Sequence, residues 1–273
     1  MRLSCLPVSF FDEILSGRMT VLDWAALGAR LGLDAIDLSI LFVQELKPAQ
    51  AAELRRSVAD LGMSITMLTS YPDFTHPDPL QRQKELEKEL GVVELASHLG
   101  AQYVRVTAGQ AHPQTSIQDG IAWASQGLNR LVDQARAFPI QLVYENHAKP
   151  LVWDFTDFSQ PPGVFLQIVH NTADACLGIN FDTGNAAAFA DDPLWLLERV
   201  IGRVKTIHAA DTATKGALKH TLLGTGVTPF RQIFARLKQA GWDGWICMEE
   251  GSRQGKTGVR KAVDFIRRTW SET

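Results

Sequence analysis

Residues 141–147 read QLVYENH, residues 177–185 LGINFDTGN, residues 204–211 VKTIHAAD and residues 245–251 WICMEEG. Each is an apolar run of strand length that ends on a polar side chain: Glu145, Asp182, His208 and Glu249. A buried carboxylate at a strand tip is costly unless a cation or a hydrogen-bond network compensates it. Three carboxylates and one imidazole form a mixed oxygen and nitrogen donor set. Such a set suits Mn²⁺, Co²⁺, Mg²⁺ or Zn²⁺ better than a thiolate site would.

Apolar runs of the same kind recur through the rest of the chain. Strands are predicted at 3–9, 34–39, 64–69, 102–107, 140–145, 176–181, 203–208 and 244–249. Amphipathic stretches between and after them predict helices at 20–31, 48–61, 79–99, 116–137, 162–172, 193–200, 228–240 and 256–270. In the third of these, Leu86, Leu90, Val93 and Ser97 form a helical stripe, and Glu85, Lys88, Glu89 and Glu94 fall on the other faces. Thr228-Pro229 reads as an N-cap and a first-turn proline, and Gly241 as the stop of that helix. The junction "helix, Leu-Gly, strand" repeats as ARLGLDAI, ADLGMSIT and SHLGAQYV, where glycine tolerates the left-handed turn that ends a helix. Eight βα units in 273 residues imply an α/β fold, a (β/α)₈ barrel occupying 1–273 as a single domain. The rival is an open doubly wound sheet, which favours a phosphate or dinucleotide loop; neither GxGxxG nor GxxxxGK[ST] occurs. In a barrel, chemistry belongs at the C-terminal ends of the strands, where the four polar residues fall.

Composition narrows the function classes. Hydrophobic residues make up 45% of the chain, enough for a sizeable core. The formal net charge of −3 gives no global attraction to phosphate backbones, so no nucleic acid partner is expected. Cys5, Cys176 and Cys247 form no CxxC pair and each lies in a predicted strand, which reads as buried free thiols in a reducing compartment. The N-terminal stretch MRLSCLPVSFFDE is too interrupted for a signal peptide, and no apolar run reaches the roughly 18 residues of a membrane span. The expected location is the cytoplasm, with no membrane partner.

Around the four strand tips, several residues carry two readings. Alternation puts His147 on the side of Glu145, either at a ligand or capping the next loop. Asn185 follows the Asp182-Thr183-Gly184 turn and either reaches substrate or caps a helix. The DTG turn is not an aspartic-protease signature here, since that needs two such motifs on an all-β background. Asp211 makes an HxxD pattern with His208, either orienting a liganding imidazole or forming a surface turn. Glu250 alternates away from Glu249, so Glu249 is chosen for the site. The segment Gly251–Lys256 either holds a phosphate at the N-terminus of the last helix or is a solvated loop.

With these residues in view, the chain resembles the xylose-isomerase-like sugar phosphate isomerase/epimerase superfamily. The resemblance spans nearly the whole chain and is strongest in LVYENH, GINFDTGN, VKTIHAADT, the run 222–251 and the closing VRKAVDFIRR. It implies a TIM barrel whose divalent metal is held by Glu145, Asp182, His208 and Glu249. It also implies that Glu145 and Glu249 move the proton, as in the family's ketose 3-epimerases. His147, Asn185, Asp211 and His220 are the expected substrate contacts. Two departures bear on the substrate. Asn185 stands where many relatives carry histidine, and His220 lies four residues before Gly224-Thr225-Gly226, near where ketose 3-epimerases place a substrate-binding arginine. The inosose dehydratase branch is similar as well.

The expectation is therefore a metal-dependent enzyme, with Mn²⁺ favoured, that isomerises or epimerises a ketose through an enediolate with paired glutamates as acid and base. A lyase or dehydratase on a keto-sugar or inosose is the alternative. An endonuclease-IV-like phosphodiesterase would need more histidines than the seven present, and a non-catalytic barrel would have no use for four intact ligands. A small sugar is the expected partner, together with a possible homo-oligomeric assembly of the barrel.

Overall fold

A computed structural model describes residues 1–150, 152–173 and 176–273. Its strands are β1 (Arg2–Leu6), β2 (Ile36–Ser39), β3 (Ile65–Thr69), β4 (Tyr103–Val106), β5 (Gln141–Glu145), β6 (Gly178–Asp182), β7 (Val204–Ala209) and β8 (Trp245–Glu249). Its helices are α1 (Phe11–Leu15), α2 (Val21–Leu31), α3 (Pro48–Asp60), α4 (Pro79–Leu99), α5 (Ile117–Ala135), α6 (Pro162–Asn171), α7 (Thr183–Phe189), α8 (Pro193–Val200), α9 (Phe230–Gln239) and α10 (Gly255–Glu272). The strands pair in the order β1-β8-β7-β6-β5-β4-β3-β2, and every ladder is parallel. β1 and β2 bring the ends of the sheet together. Asp34 N–H donates to the Leu3 carbonyl at 2.8 Å, and Ser4 Oγ donates to Asp37 Oδ2 at 2.6 Å. The result is a nearly closed (β/α)₈ barrel, as the alternation of strands and helices requires.

The register aligns the polar strand ends. Asp182 pairs with His208 across β6 and β7, and Glu145 pairs with Asn180 across β5 and β6. The helices cover the outer face with buried Trp24, Leu31, Leu86, Val93, Leu128, Phe165, Phe234 and Ile266. Gly32 (φ 84°) and Gly100 (φ 69°) end α2 and α4 in the left-handed region, as the repeated Leu-Gly junction implies.

Several local expectations change. The first strand stops at Leu6 rather than residue 9, because Pro7 offers no N–H and the chain turns into a short 3₁₀ segment at Val8–Phe10. Thr228 does not cap α9: its hydroxyl donates to the Ala210 carbonyl at 3.4 Å, and Pro229 precedes the first helical residue. Cys176 is exposed ahead of β6, whereas Cys5 and Cys247 are buried as expected. Among the described residues, no helix is long and apolar enough to cross a membrane.

Glu89 is the largest departure on α4. Expected on an outer face, it is only 2% exposed and accepts a hydrogen bond from Ser70 Oγ. Burial raises its carboxyl to about 7 despite that hydrogen bond. The unfolded chain releases this proton near pH 4.5, so the folded state binds it more tightly between pH 4.5 and about 7. Stability from this group is therefore complete at acid pH and is lost as the pH rises through that window. Glu89→Gln keeps the acceptor and removes the charge. Thermal denaturation should show the variant more stable than wild type by a few kcal/mol at pH 8 and nearly equal at pH 4.5. An equal difference at both pH values would refute the assignment.

Candidate metal centre

Glu145, Asp182 and His208 end or nearly end β5, β6 and β7, and their side chains converge. One ligand atom from each lies within 4.8 Å of the other two, and all three residues are buried. His208 Nδ1 is 2.7 Å from Glu145 Oε1 and 3.2 Å from Glu249 Oε1, so the fourth carboxylate joins the group from β8. Glu249 is more open, with 15% of its side chain exposed against 1% for Glu145. Glu250 turns away, as alternation requires. It is fully buried and receives Ser9 Oγ at 2.6 Å and Ser252 N–H at 2.9 Å.

A second layer of contacts fixes these ligand candidates. Asn180 Nδ2 donates to Glu145 Oε1 at 3.1 Å and is itself held by Thr206 Oγ1 at 2.7 Å. Asn146 clamps the Asp182 backbone, accepting its N–H and donating to its carbonyl, both at 2.9 Å. Asp182 Oδ1 caps α7 by accepting Asn185 N–H at 2.6 Å. Arg105, 1% exposed in β4, places Nε 2.8 Å from Glu145 Oε2 and donates from Nη1 to the Ser70 carbonyl at 2.8 Å. The Arg105–Glu145 contact has ion-pair distance without hydrogen-bond alignment. The guanidinium also lies over the Tyr71 ring, 4.8 Å from its centroid.

Three buried atoms of the cluster have no hydrogen-bond partner among the described residues: Asp182 Oδ2, His208 Nε2 and Glu145 Oε2, the last lying against Arg105. Buried polar atoms are nearly always satisfied, so an unsatisfied carboxylate oxygen on Asp182, grouped with Glu145 and the His208 imidazole, fits a bound cation. The charges agree. Burial, then Glu249 and Glu145, push the Asp182 carboxyl well above the usual range. Burial disfavours charge on Glu145, but Arg105 and then His208 outweigh it and hold the carboxyl at about 2. Burial likewise opposes charge on His208, but Glu145 and then Glu249 outweigh it and raise the imidazole to about 9. A divalent cation would replace the protons that such a cluster retains. The donor types and their burial fit one.

The cluster opens on a cavity of about 570 Å³ at the mouth of the barrel, lined among others by Glu249, Arg105, Tyr71, His147, Asn185 and His220. His147 lies between this cavity and a void of about 10 Å³, and its Nδ1 is 3.5 Å from Asp157 Oδ2. Asp157 is anchored in turn by Ser159 N–H and Oγ, both at 2.7 Å. Asn185 lines both spaces, and its buried Oδ1 has no hydrogen-bond partner among the described residues. His220 is exposed on the wall of the larger one.

Asp211 departs from its expected place at the substrate. It is 1% exposed, and its Oδ2 accepts Gly224 and Gly226 N–H groups at 2.9 Å. Its Oδ1 takes Thr212 and Thr228 N–H groups at 2.9 and 3.1 Å. The carboxylate therefore clamps the Gly-Thr-Gly turn. A Cβ on Gly226 would come within 2.5 Å of Asp211 Oδ1, which explains glycine there. Arg253, in the loop read either as a phosphate holder or as solvated, lines the cavity with φ 59°.

Arg105, Tyr71, Asp157 and Asn180 were not singled out from sequence. A lone arginine inside YVRV was the available signal, because arginine is almost never fully buried unless paired.

The xylose isomerase-like TIM barrel family matches residues 25–269, and the chain belongs to it. It is 23% identical to L-ribulose-5-phosphate 3-epimerase UlaE of Salmonella typhi, over 96% of this chain and 94% of that one. Its fold is similar to D-psicose 3-epimerase from Clostridium cellulolyticum H10, with TM-score 0.82, 14% identity and 99% of each chain covered. It is also similar to the IolI protein with a bound zinc atom, with TM-score 0.81, 15% identity, and 100% of this chain and 99% of that one covered.

Proposed function

We propose that this protein is a divalent-metal-dependent isomerase or epimerase of a ketose or related keto-sugar. Glu145, Asp182, His208 and Glu249 would hold the ion, with Mn²⁺ favoured by the oxygen-rich donor set. The observation that carries this reading is the convergence of Glu145, Asp182 and His208 within 4.8 Å, joined by Glu249 on the wall of a cavity roomy enough for a sugar. The epimerase activity of the UlaE relative agrees with it. When bound, the ion would act as a Lewis acid on the substrate carbonyl and acidify the neighbouring C–H.

The protein's own groups do the rest. Glu145, kept ionised by Arg105 and oriented by Asn180, takes the proton from the carbon next to the carbonyl. Glu249, open to the cavity, returns a proton that it draws from solvent. Return to the opposite face of the same carbon gives epimerisation, and return to the adjacent carbon gives isomerisation. His147, backed by Asp157, faces the substrate's hydroxyl groups. An imidazole in that position also supports the second reading, loss of a β-hydroxyl from a keto-sugar, because it can protonate the departing oxygen.

Incubating the Mn²⁺-loaded protein with a panel of ketoses in D₂O tests this. Deuterium should enter the carbon beside the carbonyl. Glu145→Gln, saturated with Mn²⁺ to offset weaker binding of the ion, should exchange at least ~10²-fold more slowly. A product lighter by one water would select elimination, and undiminished exchange in Glu145→Gln would remove the acid/base role.

A further inference from the structure

Resting on that reading of the metal site, we infer that the substrate is a keto-sugar carrying a second sugar ring, held in a side lobe of the barrel mouth. The main cavity, about 570 Å³, is larger than one ketose needs, and a second cavity of about 280 Å³ adjoins it. The two share Leu41, Tyr71 and Val152 as lining. Both open among the loops that follow the strands, so a molecule with its keto group at Glu249 has somewhere to extend.

The side lobe has the chemistry of a carbohydrate subsite. Trp153 and Tyr71 supply aromatic surface for the C–H faces of a pyranose. Trp153 also stands edge-on to His147, with centroids 6.2 Å apart, which joins the lobe to the main cavity. Glu85, Lys88 and the Gln44 amide supply groups for hydroxyls. Gln44 is exposed, and Glu85 is one-quarter exposed, with Lys88 at 3.6 Å and the Asp73 N–H at 3.4 Å as neighbours on Oε2. Asp73, by contrast, is filled by Gln110, His112 and Thr75 and serves as framework.

The Glu85 carboxylate argues against an apolar substituent. Covering it with hydrocarbon would strip it of water and return no donor, a penalty that sugar hydroxyls avoid. The chain just beyond Trp153 is fastened. Gln110 Oε1 accepts Asp154 and Phe155 N–H groups at 2.9 and 3.2 Å, and Lys149 Nζ donates to the Asp154 carbonyl at 2.7 Å.

Calorimetric titration of the Mn²⁺-loaded protein with D-fructose and with lactulose, a ketose bearing a second hexose ring, tests the assignment. Lactulose should bind at least about tenfold more tightly, and Gln44→Trp, which fills the lobe from an exposed position, should bring the ratio of the two affinities to about one. A ratio near one in the wild type, or one unchanged by Gln44→Trp, overturns the second-ring subsite while leaving the metal site in place. Binding of neither sugar by protein that retains Mn²⁺ overturns the sugar reading and the subsite with it.

Discussion

Arg105→Met should destabilise the metal-free protein by about 3–5 kcal/mol, the cost of leaving one member of a buried ion pair without its partner. The methionine keeps most of the aliphatic packing, so the loss reports on charge. The guanidinium is 1% exposed and is the cation that sits against Glu145 Oε2 at 2.8 Å. Without it, Glu145 is left buried close to two other carboxylates, Asp182 and Glu249, with His208 and then His147 to offset them. The double variant Arg105→Met/Glu145→Gln removes both charges and should recover most of the loss. Urea denaturation of the four proteins of this cycle measures it. A loss below about 1 kcal/mol in Arg105→Met, with no recovery in the double variant, would show that Arg105 does not hold Glu145.

His208→Ala should lower the affinity for Mn²⁺ by at least ~10²-fold. Loss of a group that merely supports a ligand already costs 10–100-fold, and His208 is proposed as a ligand itself. Asp182→Asn is the companion test. Asparagine preserves the acceptor that caps α7 through Asn185 N–H, so the fold stays and only the charge goes. Glu249→Gln should weaken binding as well. Glu250→Gln should leave affinity unchanged, because Glu250 faces Ser9 and Ser252 rather than the cluster. Equal losses at positions 249 and 250 would mean that a folding defect is being read as metal binding.

The barrel was legible because its signals are local and repeated. Buried parallel strands read as short apolar runs, and Leu-Gly junctions mark where helices stop. α1 and α7, five and seven residues long, carry too few turns to show a period and were not predicted. The four strand-end residues were legible for a different reason: a polar group that closes an apolar strand has to be compensated. The choice between Glu249 and Glu250 followed from the two-residue period of a strand alone.

What sequence did not reveal depends on contacts between distant segments. Arg105 sits inside an apolar run and finds Glu145 one strand over. Glu89 looked like an outward-facing helical residue until Ser70 was seen to reach it from the end of β3. Asp211 matched an HxxD pattern, yet its partners are backbone N–H groups up to 17 residues further on. His147 and Asp157 are ten residues apart across a loop, which no periodicity predicts.

Diffraction from Mn²⁺-soaked crystals, recorded on either side of the manganese absorption edge, tests the central claim most directly. The account expects one strong anomalous peak bounded by Glu145, Asp182, His208 and Glu249, with ligand distances of roughly 2.0–2.3 Å and open coordination positions facing the cavity. A peak elsewhere, or one at this cluster with Asp182 or His208 turned away from it, would contradict it.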